Sequence, residues 1–301
     1  MADDLRQRLK NVHAYAVTPF ARDDLLQLDL TGLTRNMEFL IRGGVKVINV
    51  CGGTGEINAL TALELETVAA RALDVADDDT LVTPTIPGNT GLAIELAARY
   101  RERGAKVALA MPPLMRDQVP DDLDGVYAHY ALLAARAPGL LLLPYNTQGW
   151  PAEFFERLAG VEQIVGVKDP CVYPHKLFRA ILRLGDRFVW IGNKRHDPGV
   201  LHFRYQAGID GFTAGIINFL PGPELNLHQA ALQADWEQMV ELQGRLAPLE
   251  QLRNQYGDGL LKAGLDIVGL AGGRVRPPRV DVNAEGCDRL RDHLKKEWGL
   301  P

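Results

Sequence analysis

Lys168 follows the apolar run Ile164-Val165-Gly166-Val167 and precedes Asp169. A lysine amine in apolar surroundings loses hydration, and its pKa falls from about 10.4 toward neutrality. A neutral amine in such a pocket attacks a ketone and forms an imine. The competing reading is a lysine that reaches solvent with its head group or pairs with Asp169.

Three other stretches carry groups that could serve the same chemistry. Gly52-Gly53-Thr54-Gly55-Glu56 is a turn with little side chain, so successive N–H groups and the Thr54 hydroxyl could bind a carboxylate. It lacks the Gly-Lys-Ser/Thr ending of a phosphate loop, and a plain glycine turn is the alternative. Tyr145 follows Leu140-Leu141-Leu142-Leu143-Pro144. A phenol there could move protons between the lysine nitrogen and a substrate oxygen, or simply close the core through a hydrogen bond. Glu56 reads as a brace for its neighbours. Gly192-Asn193-Lys194-Arg195-His196 is a polar stretch that could select an acidic, hydroxylated substrate, or could be a solvated basic loop. His13, His175 and His202 read as ordinary, and His196 enters only through its loop. No histidine, cysteine or carboxylate cluster has metal-ligand spacing, so neither a metal nor an organic cofactor is expected.

These groups need elements to hold them. Strand-like runs at His13–Val17, Val45–Cys51, Leu81–Thr85, Val107–Ala110, Leu140–Pro144, Ile164–Val167, Phe188–Ile191 and Gly211–Ala214 alternate with amphipathic stretches. The runs are continuously apolar, which suits a parallel sheet covered on both faces. Thr61 and Glu64 have the spacing of a capping box. Eight such units predict an α/β fold, a (β/α)8 barrel over residues 1–222. An open doubly wound sheet is the competitor, but the glycine-rich dinucleotide turn is missing. Beyond residue 222 only helical patterns occur, so 223–301 is expected to be a helical extension packed on the barrel. In a barrel the chemistry sits at the C-terminal ends of the strands. Thr54, Tyr145, Lys168 and Asn193 all follow or end strand-like runs.

Composition narrows the function classes. The chain has 301 residues, 47% hydrophobic and 24% charged, with a net charge of -5 and no basic block. Nucleic acid is therefore not an expected partner. Three scattered cysteines, Cys51, Cys171 and Cys287, argue against a disulfide framework. A charged N-terminus and the lack of a long apolar run argue against export and against a membrane partner, so a cytoplasmic location is expected.

The ordered set Gly-Gly-Thr-Gly-Glu, Tyr-Asn and Gly-Val-Lys-Asp resembles the dihydrodipicolinate synthase / N-acetylneuraminate lyase superfamily, from Thr18-Pro19-Phe20 to the C-terminal helices. The resemblance implies a lyase that forms an imine with a small-molecule 2-keto acid, and a homotetramer built as a dimer of dimers. It puts Lys168 on the imine lysine, Tyr145 on the proton relay, and Gly53 and Thr54 on the carboxylate site. Three departures stand out. Gly53 replaces the first of two hydroxyl residues, Tyr145 to Trp150 holds no arginine, and Met111 to Met115 holds no tyrosine. These losses argue against dihydrodipicolinate synthase itself. Gly-Gly-Thr-Gly-Glu and Val275-Arg276-Pro277-Pro278 are more similar to 5-dehydro-4-deoxyglucarate dehydratases, which remove water and carbon dioxide from a keto sugar diacid to give 2,5-dioxopentanoate. A pyruvate-dependent aldolase, a hydratase-aldolase and a catalytically silent keto-acid-binding barrel are the alternatives.

Overall fold

The computed structural model describes residues 2–116, 118–194 and 199–300. Eight parallel strands form the centre: β1 (Val12–Tyr15), β2 (Val47–Val50), β3 (Leu81–Ile86), β4 (Val107–Ala110), β5 (Leu141–Pro144), β6 (Gly166–Lys168), β7 (Val189–Asn193) and β8 (Gly211–Ala214). Helix α1 (Ala2–Leu9) precedes them. The barrel helices are α2 (Leu30–Arg42), α3 (Ala62–Val75), α4 (Thr90–Glu102), α5 (Leu123–Arg136), α6 (Ala152–Leu158), α7 (Pro174–Leu184) and α8 (Leu201–Gln206). Then come α9 (Pro221–Leu232), α10 (Trp236–Tyr256), α11 (Gly259–Ile267) and α12 (Ala284–Trp298). This is a (β/α)8 barrel followed by a helical region.

The ladder runs in the order β5-β4-β3-β2-β1-β8-β7-β6. Its two ends meet through single parallel bridges, Leu142 with Ile164 and Tyr145 with Lys168. The Asn146 N–H donates to the Lys168 carbonyl at 2.8 Å across this seam. Barrel closure therefore sets Tyr145 beside Lys168, although 22 residues separate them in the chain.

Local chemistry explains the elements. The Thr61 hydroxyl accepts from the Glu64 N–H, and the Glu64 carboxylate accepts from the Thr61 N–H, the expected capping box of α3. Leu65, Val68, Ala69 and Ala72 then face the strands at helical spacing. The barrel interior holds Val47, Leu81, Val107, Leu109, Leu143, Val165, Val189 and Ile191. Leu5 and Leu9 of α1 join that interior cluster, which the N-terminal sequence did not suggest. The second, larger core lies between strands and helices. It runs without a break from Val12 and Ile48 to Leu246, Leu260 and Leu290, so α9 to α12 share one apolar core with the barrel.

Two strand boundaries differ from expectation in a way that matters. β6 runs through Lys168 rather than stopping at Val167, so Lys168 is a paired strand residue. β7 runs through Asn193 rather than stopping at Ile191, so Gly192 and Asn193 are strand residues and not loop. Parallel pairing carries each strand past the point where apolar character ends: Lys168 of β6 is in register with Ile191 of β7, and Asn193 of β7 with Thr213 of β8.

Candidate active site

A pocket of about 200 Å³ opens at the C-terminal ends of the strands. Lys168 lies at its base and is buried, with only 7% of its surface exposed. Its Nζ lies 4.0 Å from the ring centre of Tyr15 and 4.1 Å from that of Tyr145. Burial, then the positive charge of Arg253, lowers the Lys168 pKa from 10.5 to about 7, against an opposing pull from Asp258. Much of the amine is then neutral near pH 7 and competent as a nucleophile.

The β2 loop forms one wall. Cys51 and Glu56, at its ends, take the left-handed conformation, with φ of 58° and 63°. Thr18 ties the loop down by donating its hydroxyl to the Gly55 carbonyl at 2.8 Å. A side chain on Gly55 would meet the Cys51 backbone at 2.9 Å, so only glycine allows this close return. Gly53 and Thr54 both line the pocket. The buried Glu56 does not. Its carboxylate pairs with Lys262 of α11 at 2.7 Å and accepts from the Arg276 N–H at 2.9 Å, which makes it a brace.

The β5–β6 seam forms the opposite side. Asn146 donates to the Asp169 carboxylate at 2.6 Å, and the Cys171 N–H donates to the same carboxylate at 2.6 Å. Burial raises the Asp169 pKa to about 6, with these donors and Arg204 pulling against it. The Asn146–Asp169 link fixes the two strand ends that carry Tyr145 and Lys168.

The polar stretch after β7 divides. Asn193 lines the pocket, in register with Thr213 of β8. Gly192 faces Ile209, away from it. The expectation that Lys194 meets substrate needs correction. Its Nζ pairs with Glu224 of α9 at 2.9 Å and with Glu250 of α10, and all three side chains are buried. Burial alone would lower the Lys194 pKa, but the two carboxylates outweigh it and hold it above the ordinary value. Burial pushes Glu224 up to about 7 despite Lys194. Physically, β7 continues past the expected end and delivers the next side chain under the C-terminal helices. Arg195 and His196 lie outside the described residues.

Five groups at the pocket were not singled out from the sequence: Tyr15, Thr213, Arg253, Asp258 and Arg279. Arg253, near the end of α10, donates to the Thr54 hydroxyl at 3.0 Å and to Asp258 at 2.9 Å. Its guanidinium crosses the end of β8, where a side chain on Gly215 would come within 2.2 Å of it. Arg279 donates to the Gly53 carbonyl at 2.8 Å. Tyr15 was legible in principle, because it ends β1 as Tyr145 follows β5. Arg253, Asp258 and Arg279 sit in helical and loop segments some 200 residues from the β2 loop in sequence, with no local signal.

The fold and the chemistry of this pocket define a barrel lyase of the imine-forming type. The chain belongs to the dihydrodipicolinate synthetase family, which it matches over residues 8–297. It is 26% identical to a probable 5-dehydro-4-deoxyglucarate dehydratase of Bacillus licheniformis, over 97% of this chain and 95% of the relative. It is 30% identical to a 4-hydroxy-tetrahydrodipicolinate synthase of Methanosarcina mazei, over 93% of this chain and 95% of the relative. The fold superposes on the crystal structure of a dihydrodipicolinate synthase from Oceanobacillus iheyensis with a TM-score of 0.89. That superposition covers 98% and 99% of the two chains at 22% identity.

Proposed function

We propose that the protein uses Lys168 to form an imine with a 2-keto acid, and that it is a sugar-acid dehydratase of the 5-dehydro-4-deoxyglucarate dehydratase type. The observation that carries the imine step is the buried Lys168 amine, with its pKa lowered to about 7, beside Tyr145 at a pocket base. The keto-acid carboxylate docks at Gly53 and Thr54. The Lys168 nitrogen attacks the ketone carbon, and Tyr145 relays protons as the oxygen leaves as water. The protonated imine then accepts the electron pair left when a proton departs from the neighbouring carbon. The resulting enamine can expel a hydroxyl from the next carbon, which with a proton leaves as water.

Two things favour the dehydratase over the synthase. Several similar relatives bear that name. The strand-5 segment also offers no cation for a second substrate. Asn146, Gln148 and Trp150 hydrogen-bond among themselves and to Pro120 instead.

Borohydride reduction in the presence of pyruvate is expected to leave a covalent adduct at Lys168 that mass spectrometry locates, and K168A is expected to leave none. No adduct with any keto acid would sink the imine reading and favour a silent binding barrel. An assay of 5-dehydro-4-deoxyglucarate is expected to yield 2,5-dioxopentanoate; pyruvate release would instead make the protein an aldolase. A tetramer is the assembly proposed from the family, and light scattering after size exclusion tests it.

A further inference from the structure

We propose that Tyr15 touches substrate: from the end of β1 its hydroxyl donates a hydrogen bond to the C1 carboxylate of the keto acid, which Gly53 and Thr54 hold from the β2 loop. The proposal rests on the imine reading of Lys168 and on docking at Gly53 and Thr54, and it adds a residue to that site.

Tyr15 stands between the two groups that a bound keto acid must join. It is in register with Asn49 of β2, the strand that leads into the carboxylate turn. Its ring lies against Gly52, where an added side-chain carbon would meet Tyr15 Cδ1 at 3.1 Å and Cε1 at 3.2 Å. The centre of the same ring is 4.0 Å from Lys168 Nζ. In an imine, the C1 carboxylate is bonded to the carbon that carries the lysine nitrogen, so its oxygens lie beside Nζ. A carboxylate that reaches from Nζ to Gly53 and Thr54 therefore passes along Tyr15. Tyr145 also flanks Nζ, but β3 and β4 separate its strand from β2 in the ladder.

The Tyr15 hydroxyl is a donor in want of an acceptor. Tyr15 lines the pocket, yet only 5% of its surface is exposed. Its carbonyl accepts from Asn218 at 2.8 Å, but its hydroxyl makes no hydrogen bond among the described residues. Buried hydroxyls are normally paired, so a ligand is the partner this one lacks. Burial, then Tyr145, raises its pKa well above the ordinary 10. The phenol thus keeps its proton and can donate to an anion. The backbone that delivers it is fixed on both sides, because the Ala16 N–H donates to the Asn49 carbonyl at 2.9 Å. A donor mounted in this way loses little freedom on binding. Gly53 supplies no side chain, and nothing lies within 4 Å of where one would project, so the turn leaves room for a donor from another strand.

Y15F tests the proposal, since it deletes the hydroxyl and keeps the ring on Nζ. Cyanoborohydride trapping at Lys168 is followed in the full-length protein with pyruvate and with acetone, in which a methyl replaces the carboxylate. Y15F is expected to raise the pyruvate concentration for half-maximal trapping by about tenfold, the scale of one hydrogen bond to a charged group. The second-order rate with acetone, and the midpoint of the pH dependence with pyruvate, should stay as in wild type. An unchanged half-maximal concentration overturns the proposal. Equal slowing with acetone, or a moved midpoint, also overturns it, because either places the effect on the Lys168 amine. T54V separates the two readings. Weaker pyruvate trapping in T54V but not in Y15F leaves the Gly53 and Thr54 site standing without Tyr15, and no effect in either variant overturns that docking as well. No pyruvate adduct in wild type overturns the imine reading with it.

Discussion

Lys168 couples burial to protonation, and two measurements expose the coupling. The ammonium is disfavoured by desolvation and by Arg253. Trapping rates with pyruvate are therefore expected to rise with pH through about 7 and then level off. Removing the Arg253 cation in R253M relieves repulsion of the ammonium, so the rising limb should shift to higher pH. A limb that stays in place or moves to lower pH would contradict this electrostatic account. The same shift acts on stability. The folded pKa is depressed below the unfolded one, so Lys168 costs nothing to fold above pH 10.5, and its cost grows as pH falls toward 7. One pKa unit is worth about 1.4 kcal/mol, so K168M should be more stable than wild type by a few kcal/mol near neutrality. In urea melts the difference should shrink as pH rises toward 10; a constant difference would point to packing alone.

Two contacts between elements hold the pocket, and each predicts a distinct failure. Lys194 joins the end of β7 to α9 and α10 through Glu224 and Glu250. K194M leaves two buried carboxylates without their shared cation. The expected loss of stability is about 3–5 kcal/mol, the usual result of removing one partner of a buried ion pair. A loss below about 1 kcal/mol, as for an exposed pair, would show that this cluster is hydrated in solution. Gly215 is the second contact. A methyl there would meet Arg253 Nη1 at 2.2 Å and push the guanidinium off Thr54. G215A is expected to raise the concentration needed for half-maximal trapping by about tenfold, the order of one charge-assisted hydrogen bond. Its melting temperature should change little. A large drop in melting temperature with normal trapping would assign Gly215 to packing instead.

At the scale of the whole molecule, the helical region after residue 222 is part of the site and part of the core. It carries Arg253, Asp258 and Arg279 to the pocket and Lys262 to Glu56. Leu246, Leu249, Leu260 and Leu265 lie fully inside the apolar core shared with the strands. A fragment of residues 1–222 is therefore expected to lack cooperative unfolding and to bind a hydrophobic dye, as seen by circular dichroism and fluorescence. A cooperative melt from that fragment would make the barrel an independent domain. No helix among the described residues is long and apolar enough to cross a membrane.

The sequence by itself determined the elements and the inner half of the pocket. Apolar runs of strand length and the Thr61–Glu64 spacing are local signals, and local signals survive in a linear reading. Lys168, Tyr145, Gly53 and Thr54 were legible because the barrel rule assigns chemistry to strand ends. Tertiary structure alone decided which cations face the pocket. Lys194 and Arg253 are both basic residues in polar stretches, and nothing local distinguishes them. The C-terminal helices give Lys194 to two buried carboxylates and bring Arg253 across β8 to Thr54. A charge takes its role from its partners, and those partners come from segments distant in the chain.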